Sequence, residues 1–108
     1  MWQDMESNII SSIKAKASSI APGLLAMLNL HCMLRGGVSV FDALLSNPEL
    51  IVQALSEIYQ NKETVAFIAR EIFVKPVAQA LGIDEDIYSL VELFIHQPAE
   101  FKKKVFGK

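Results

Sequence analysis

The residue types that most often hold metals or act as nucleophiles are scarce in this chain of 108 residues: two histidines and one cysteine. His31 and Cys32 are adjacent, and His96 lies far along the sequence. Zinc centres take about four ligands, usually in spaced pairs. Neighbouring positions on a helix point about 100° apart, so His31 and Cys32 diverge and no metal centre is expected. A nucleophilic cysteine needs an exposed, electropositive setting. Leu30, Met33 and Leu34 instead surround Cys32 with apolar neighbours, which predicts a thiol buried as a small hydrophobe. Asp84-Glu85-Asp86 is acidic enough to attract a cation, yet it lacks the glycine and the later glutamate of a calcium loop. It reads as a helix opening, with Asp84 as cap and the acids favouring the positive helix end. Glu57 and Glu71 could form an inward carboxylate pair, but no Glu-x-x-His motif accompanies them, as di-metal bundles require. Both are expected in solvent. No catalytic set and no cofactor site follows from these spacings, so an enzyme is the least supported class.

One basic cluster stands out: Lys102, Lys103 and Lys104, with Lys108 close behind and Phe101 and Phe106 flanking. Such a patch could touch phosphates, each lysine adding salt-dependent affinity. A solvated terminus is the simpler reading. The turn at Ser46-Asn47-Pro48 could belong to a helix-turn-helix, but residues 49–59 hold no lysine or arginine. A recognition helix without basic side chains reads the major groove poorly. The net charge of −2 adds no global attraction to nucleic acid or anionic lipid.

The elements that would position these residues are helices. Ile9, Ile13, Ala17 and Ile20 form one stripe on a helix of residues 5–19. Pro22 suits the first turn of a second helix ending near residue 34, closed by Gly36-Gly37. That helix is apolar nearly all round, which predicts the most buried element. Ser39 caps a short helix over 40–45. Asn47, Pro48 and Glu49 supply the cap, first position and acidic first turn of a helix over 49–59. Gln60-Asn61 breaks it. Residues 63–81 form a long helix with Pro76 inside, so a kink or break is expected near Phe73. Gly82 ends it. Ile87, Leu90, Val91 and Phe94 define the next helix, and Pro98 opens a last one. No strand shows convincing alternation. The expected fold is an all-α single domain over 1–108, a compact bundle of five to seven short helices without a sheet.

Hydrophobic residues make up 52% of the chain and charged residues 20%, the latter below the usual ~25%. Between residues 17 and 56 only Arg35, Asp42 and Glu49 carry charge. A small domain cannot hide such an excess easily, and a partner chain is the natural place for it. Val65, Ile68 and Ile72 form one stripe of the 63–81 helix, while Phe67, Val74 and Leu81 form a second at spacings of seven. Two stripes imply contact on both sides, met either by a central position in a monomeric bundle or by a subunit interface. Phe67, Val74 and Leu81 are therefore the candidate interface residues, with Leu24 and Met27 next. The function expected is a non-catalytic, self-associating protein–protein interaction module, most simply a homodimer. The alternatives are nucleic-acid binding through Lys102, Lys103, Lys104 and Lys108, and a bundle enclosing a small hydrophobic ligand.

A single cysteine forms no internal disulfide, which fits a reducing compartment. Asp4 and Glu6 near the start are unlike a secretory signal. The longest apolar stretch, of about 15 residues, is short of the ~20 needed to cross a bilayer. A cytoplasmic protein is expected. Asn47-Pro48-Glu49, then Ala54-Leu55-Ser56-Glu57-Ile58-Tyr59, then Phe67-Ile68-Ala69-Arg70, resemble small uncharacterised all-helical proteins of archaea over the central third of the chain. The resemblance implies a helical fold and carries no catalytic residues.

Overall fold

The computed structural model describes the backbone of residues 2–107 and the side chains of residues 4–107. Helix α1 spans Trp2–Ile20, α2 Leu24–Gly36, α3 Val40–Ser46 and α4 Glu49–Tyr59. A continuous rod follows, made of α5 (Lys62–Ile68), a π-helical segment (Ala69–Val74) and α6 (Lys75–Leu81). Helices α7 (Ile87–His96) and α8 (Pro98–Phe106) complete seven helical rods, with no strand among the described residues. The expected all-α bundle is thus what forms.

Local chemistry explains most boundaries. Gly23 at φ 86° starts α2 and Gly37 at φ 66° closes it, a backbone conformation that side chains disfavour. Pro22 consequently lies in the turn ahead of α2 and not in its first turn. Ser39 Oγ accepts the Asp42 N–H and caps α3. Asn47 was expected to cap α4 with its side chain. It ends α3 instead, its N–H donating to the Ala43 carbonyl. Its own carbonyl accepts the Leu50 N–H, so the backbone opens α4. Asn61 Oδ1 accepts the Thr64 N–H and caps α5. The cap of α7 is Asp86, not Asp84, with the carboxylate accepting from the Ser89 N–H and Oγ–H. Gly82 and Ile83 are engaged in closing α6, where the Ile83 N–H donates back to the Ala78 carbonyl, and this pushes the start of α7 two residues downstream.

The rod bends its pattern where proline was expected to break it. An uninterrupted α-helix would carry the stripe of Val65, Ile68 and Ile72 onward to Gln79 and leave Val74 beside Phe67 on the far side. The π segment delays the rotation by roughly one residue, about 100°. Val74 then turns inward and is buried, and Gln79 turns out to solvent. The Lys75 N–H donates five residues back, to the Arg70 carbonyl. Pro76, buried in the first turn of α6, has no N–H to offer the Ile72 carbonyl, and wider bonding just upstream accommodates that loss.

The core is wholly apolar among the described residues. Its stripe from α1, Ile9, Ile13 and Ala17, is buried as its spacing predicts. Its heaviest part is a row of rings. Phe73 stacks on Phe94 at 6.3 Å between centroids, Phe94 meets Phe101 edge-on at 5.0 Å, and Phe101 meets Phe106 at 6.2 Å. Such pairs add about 0.5–1.5 kcal/mol each beyond their burial. Helix α2 rests on α4 at Gly36, where a Cβ would overlap the tip of Leu50.

Candidate interaction surface

Helix α2 buries only one side. Leu24, Leu28 and Cys32 face the core, at spacings of four that keep them in line. On the opposite side Met27, Leu30, Met33 and Leu34 are 48%, 58%, 50% and 77% exposed. Four of the seven exposed large hydrophobics among the described residues thus sit on this one helix. With Ala26 they occupy an arc of about 120° at 100° per residue, and no charged side chain falls within it. Helix α2 was expected to be the most buried element. That expectation is corrected: its second apolar side has no cover among the described residues.

The margins of the arc are polar and fixed. The Arg35 guanidinium pairs with the Glu57 carboxylate of α4, and His31 Nδ1 lies 3.3 Å from Glu57 Oε2. On the other margin Asn29 Oδ1 accepts the Val40 N–H at 3.0 Å, tying α2 to α3. The apolar ridge is therefore held on a helix anchored to both neighbours. Cys32 lies wholly buried beneath it, and burial pushes its thiol pKa up, so the thiolate that reacts is disfavoured.

The candidate interface residues separate into two groups. Met27 and Phe67 are exposed. Leu24 and Val74 are buried in the chain's own core and cannot present a surface, while Leu81 is half-buried. For Val74 the reason is the phase lag of the π segment. For Leu24 it is the four-residue repeat with Leu28 and Cys32. Phe67 and Met27 therefore do not belong to one stripe.

Phe67 takes part in a different arrangement. The Arg70 guanidinium carbon lies 5.4 Å from the Phe67 ring centre and 5.3 Å from that of Tyr88, a cation held between two rings. Arg70 Nε donates to Glu71 Oε2 at 3.0 Å, and Lys75 Nζ lies 2.8 Å from the same oxygen. Glu71 was expected in solvent; its side chain is instead only 14% exposed. The Lys75 hydrogen bond, then that from Arg70, holds its carboxyl below the usual glutamate range. The i,i+4 spacing of Glu71 and Lys75 is the signal in the sequence from which this pair can be read.

The basic cluster is partly tied down. Lys102 Nζ donates to the Ser46 carbonyl at 3.1 Å, and Lys104 Nζ pairs with Glu85 at 3.2 Å. Lys103 is exposed, and Lys108 lies outside the described residues. Glu85 and Asp86 each have a task within the chain, one as a lysine partner and the other as a helix cap. No group of three or more His, Cys, Asp or Glu side chains gathers as metal ligands among the described residues.

No single helix among the described residues is long and apolar enough to cross a membrane. Helices α2 and α3 pass by length and composition only as a pair bent by 61°, and both contribute side chains to the core. Fold and surface together define an all-helical domain with an uncovered apolar ridge. No known protein family, curated protein or solved structure matches the chain.

Proposed function

We propose that this protein is a non-catalytic helical interaction module that pairs with a second copy of itself through the outer side of α2, and that it acts in the cytoplasm. The observation that carries this reading is the ridge of Met27, Leu30, Met33 and Leu34. Helices apolar on all sides are normally enclosed, and α2 is enclosed on one side only. The exposed fractions amount to roughly 400 Å² of apolar surface, the size of the largest patch on an ordinary monomer, which is often functional.

The ridge is self-complementary in outline. Met27 and Leu34 are seven residues apart, about 10 Å along the axis, with Leu30 between them. Two copies of α2 laid antiparallel about a two-fold axis set Leu30 near the axis and Met27 against Leu34 at each end. This is an isologous contact. Ala26 beside the ridge allows the helices to approach closely, and methionines adapt to imperfect fit. A standard interface buries about 800 Å² per partner, so a patch half that size supports micromolar pairing rather than an obligate dimer. The tied lysines favour this reading over nucleic-acid binding, because two of them already serve internal contacts.

Light scattering coupled to size-exclusion chromatography, run over a series of concentrations and salts, tests the proposal. A mass that rises from monomer to dimer with concentration and changes little with salt supports it. A monomer at every concentration refutes self-association.

A further inference from the structure

A recess lies away from the α2 ridge, where the end of α4, the start of α5 and the end of α7 meet. It is open to solvent on one side and offers about 450 Å³, within the usual range of small-molecule sites. Val65, Ala66 and Ile95 line it with carbon, and Lys62, Glu92 and His96 are its ionisable lining groups. The small side chain of Ala66 leaves the space open. Most polar neighbours have internal partners. Asn61 Oδ1 accepts the Thr64 N–H, and Gln60 Nε2 donates to the Glu57 carbonyl. The Glu92 carboxylate lies 3.2 Å from His96 Nε2. Lys62 differs. It makes no ion pair and no side-chain hydrogen bond among the described residues.

We infer that this recess is a binding site for a small amphipathic acid, with its hydrocarbon body on Val65, Ala66 and Ile95 and its carboxylate on Lys62. The charge assignment rests on the unpaired ammonium: of the ionisable groups around the recess, the acid already faces a histidine and the lysine faces none. An apolar floor with one convergent charge is the pattern by which pockets fix a ligand's orientation. The ridge on α2 takes no part, so this site and the pairing surface stand or fall separately.

Octanoate and 1-octanol share a hydrocarbon chain and differ in charge. Each is titrated into the full, isotope-labelled chain and followed by amide NMR shifts. A ligand of this size is expected to bind with a Kd of about a millimolar. The expected result is saturable shifts in residues 56–66 and 92–96, with octanoate bound more tightly than octanol. Lys62→Met, at an exposed position that leaves the core untouched, should weaken octanoate about threefold, the scale of an exposed ion pair, and leave octanol unchanged. Ala66→Phe, which fills the recess, should abolish both. Unsaturable shifts, equal affinity for acid and alcohol, Lys62→Met binding octanoate as well as the parent chain, or shifts confined to α2 would each overturn the assignment.

Discussion

Replacing Leu30 with Lys and Leu34 with Glu places charge at the centre and at one end of the α2 ridge. Both side chains are more than half exposed, Leu34 at 77%, so neither supports the monomer's core. Exposed substitutions of this kind usually change stability by less than about 0.5 kcal/mol, and Leu, Lys and Glu have similar helix propensities. In the dimer the same positions would be covered. Full burial of a leucine is worth about 1.5–3 kcal/mol. Scaled by their exposed fractions, the two leucines stand to contribute roughly 2–4 kcal/mol per chain, twice that per dimer. Imperfect packing and side-chain ordering reduce such sums. Even half of the lower bound, about 2 kcal/mol, raises Kd some thirtyfold, and the opposite charges compensate little in an exposed pair. Sedimentation velocity over micromolar to millimolar concentrations is the assay, with urea unfolding alongside as a check on the fold. The expected outcome is an unchanged unfolding midpoint at low protein concentration and a dimerisation Kd raised at least about thirtyfold. An equally stable dimer in a folded variant refutes the placement of the interface. A large drop in monomer stability refutes the claim that these leucines lie outside the core.

Three further outcomes follow from the packing and the charges. Phe94→Ala, which removes the ring shared by Phe73 and Phe101, should cost about 3–5 kcal/mol; a urea midpoint shift equivalent to less than about 1 kcal/mol contradicts a central role for that ring row. Glu71→Gln should destabilise by about 1 kcal/mol at neutral pH, an amount discounted for solvent screening. Because the folded carboxyl is held below its unfolded value, the native network stabilises above the ordinary glutamate pKa of about 4.3 and loses that advantage as pH falls through the folded value; parent and variant should converge there in a pH series of thermal melts. Cys32 should resist a thiol reagent such as iodoacetamide under native conditions and react in urea, and rapid native labelling by mass spectrometry contradicts its burial.

Much of the fold was legible because short-range rules governed it. The α1 stripe, the glycines at 37 and 82, the serine cap at 39 and the proline at 98 each act within a turn of their own position. Three features depended on longer-range competition. Whether Asp84 or Asp86 caps α7 depends on how many residues close α6, which periodicity does not reveal. The direction faced by Val74 depends on a register change between Ile68 and Lys75, and a seven-residue spacing presumes that no such change occurs. The exposure of α2 was hidden for a different reason. Its sequence is apolar on both sides, and composition alone says that both sides avoid water without saying which partner covers each. The candidate surface was half legible as a result: Met27 was found, while Leu30, Met33 and Leu34 were read only as neighbours of a buried thiol. The Arg70 arrangement went unseen because its second ring, Tyr88, arrives from another helix.

The π segment also has a consequence for chain length. A wide turn of this kind holds one residue more than an α-helix needs to connect the same two inward faces. Deleting a residue within 69–74 should therefore not scramble the rod, as it would in a regular helix. It should let α5 and α6 join in ordinary α register, with Val65, Ile68, Val77 and Ala78 still facing the core, but it leaves Pro76 inside a regular helix, at a cost of about 3 kcal/mol. Shortening by one residue where the bonding is widest thus keeps the core-facing side chains in phase and gives up only the relief for Pro76, whereas shortening elsewhere in α5 or α6 would turn those side chains away.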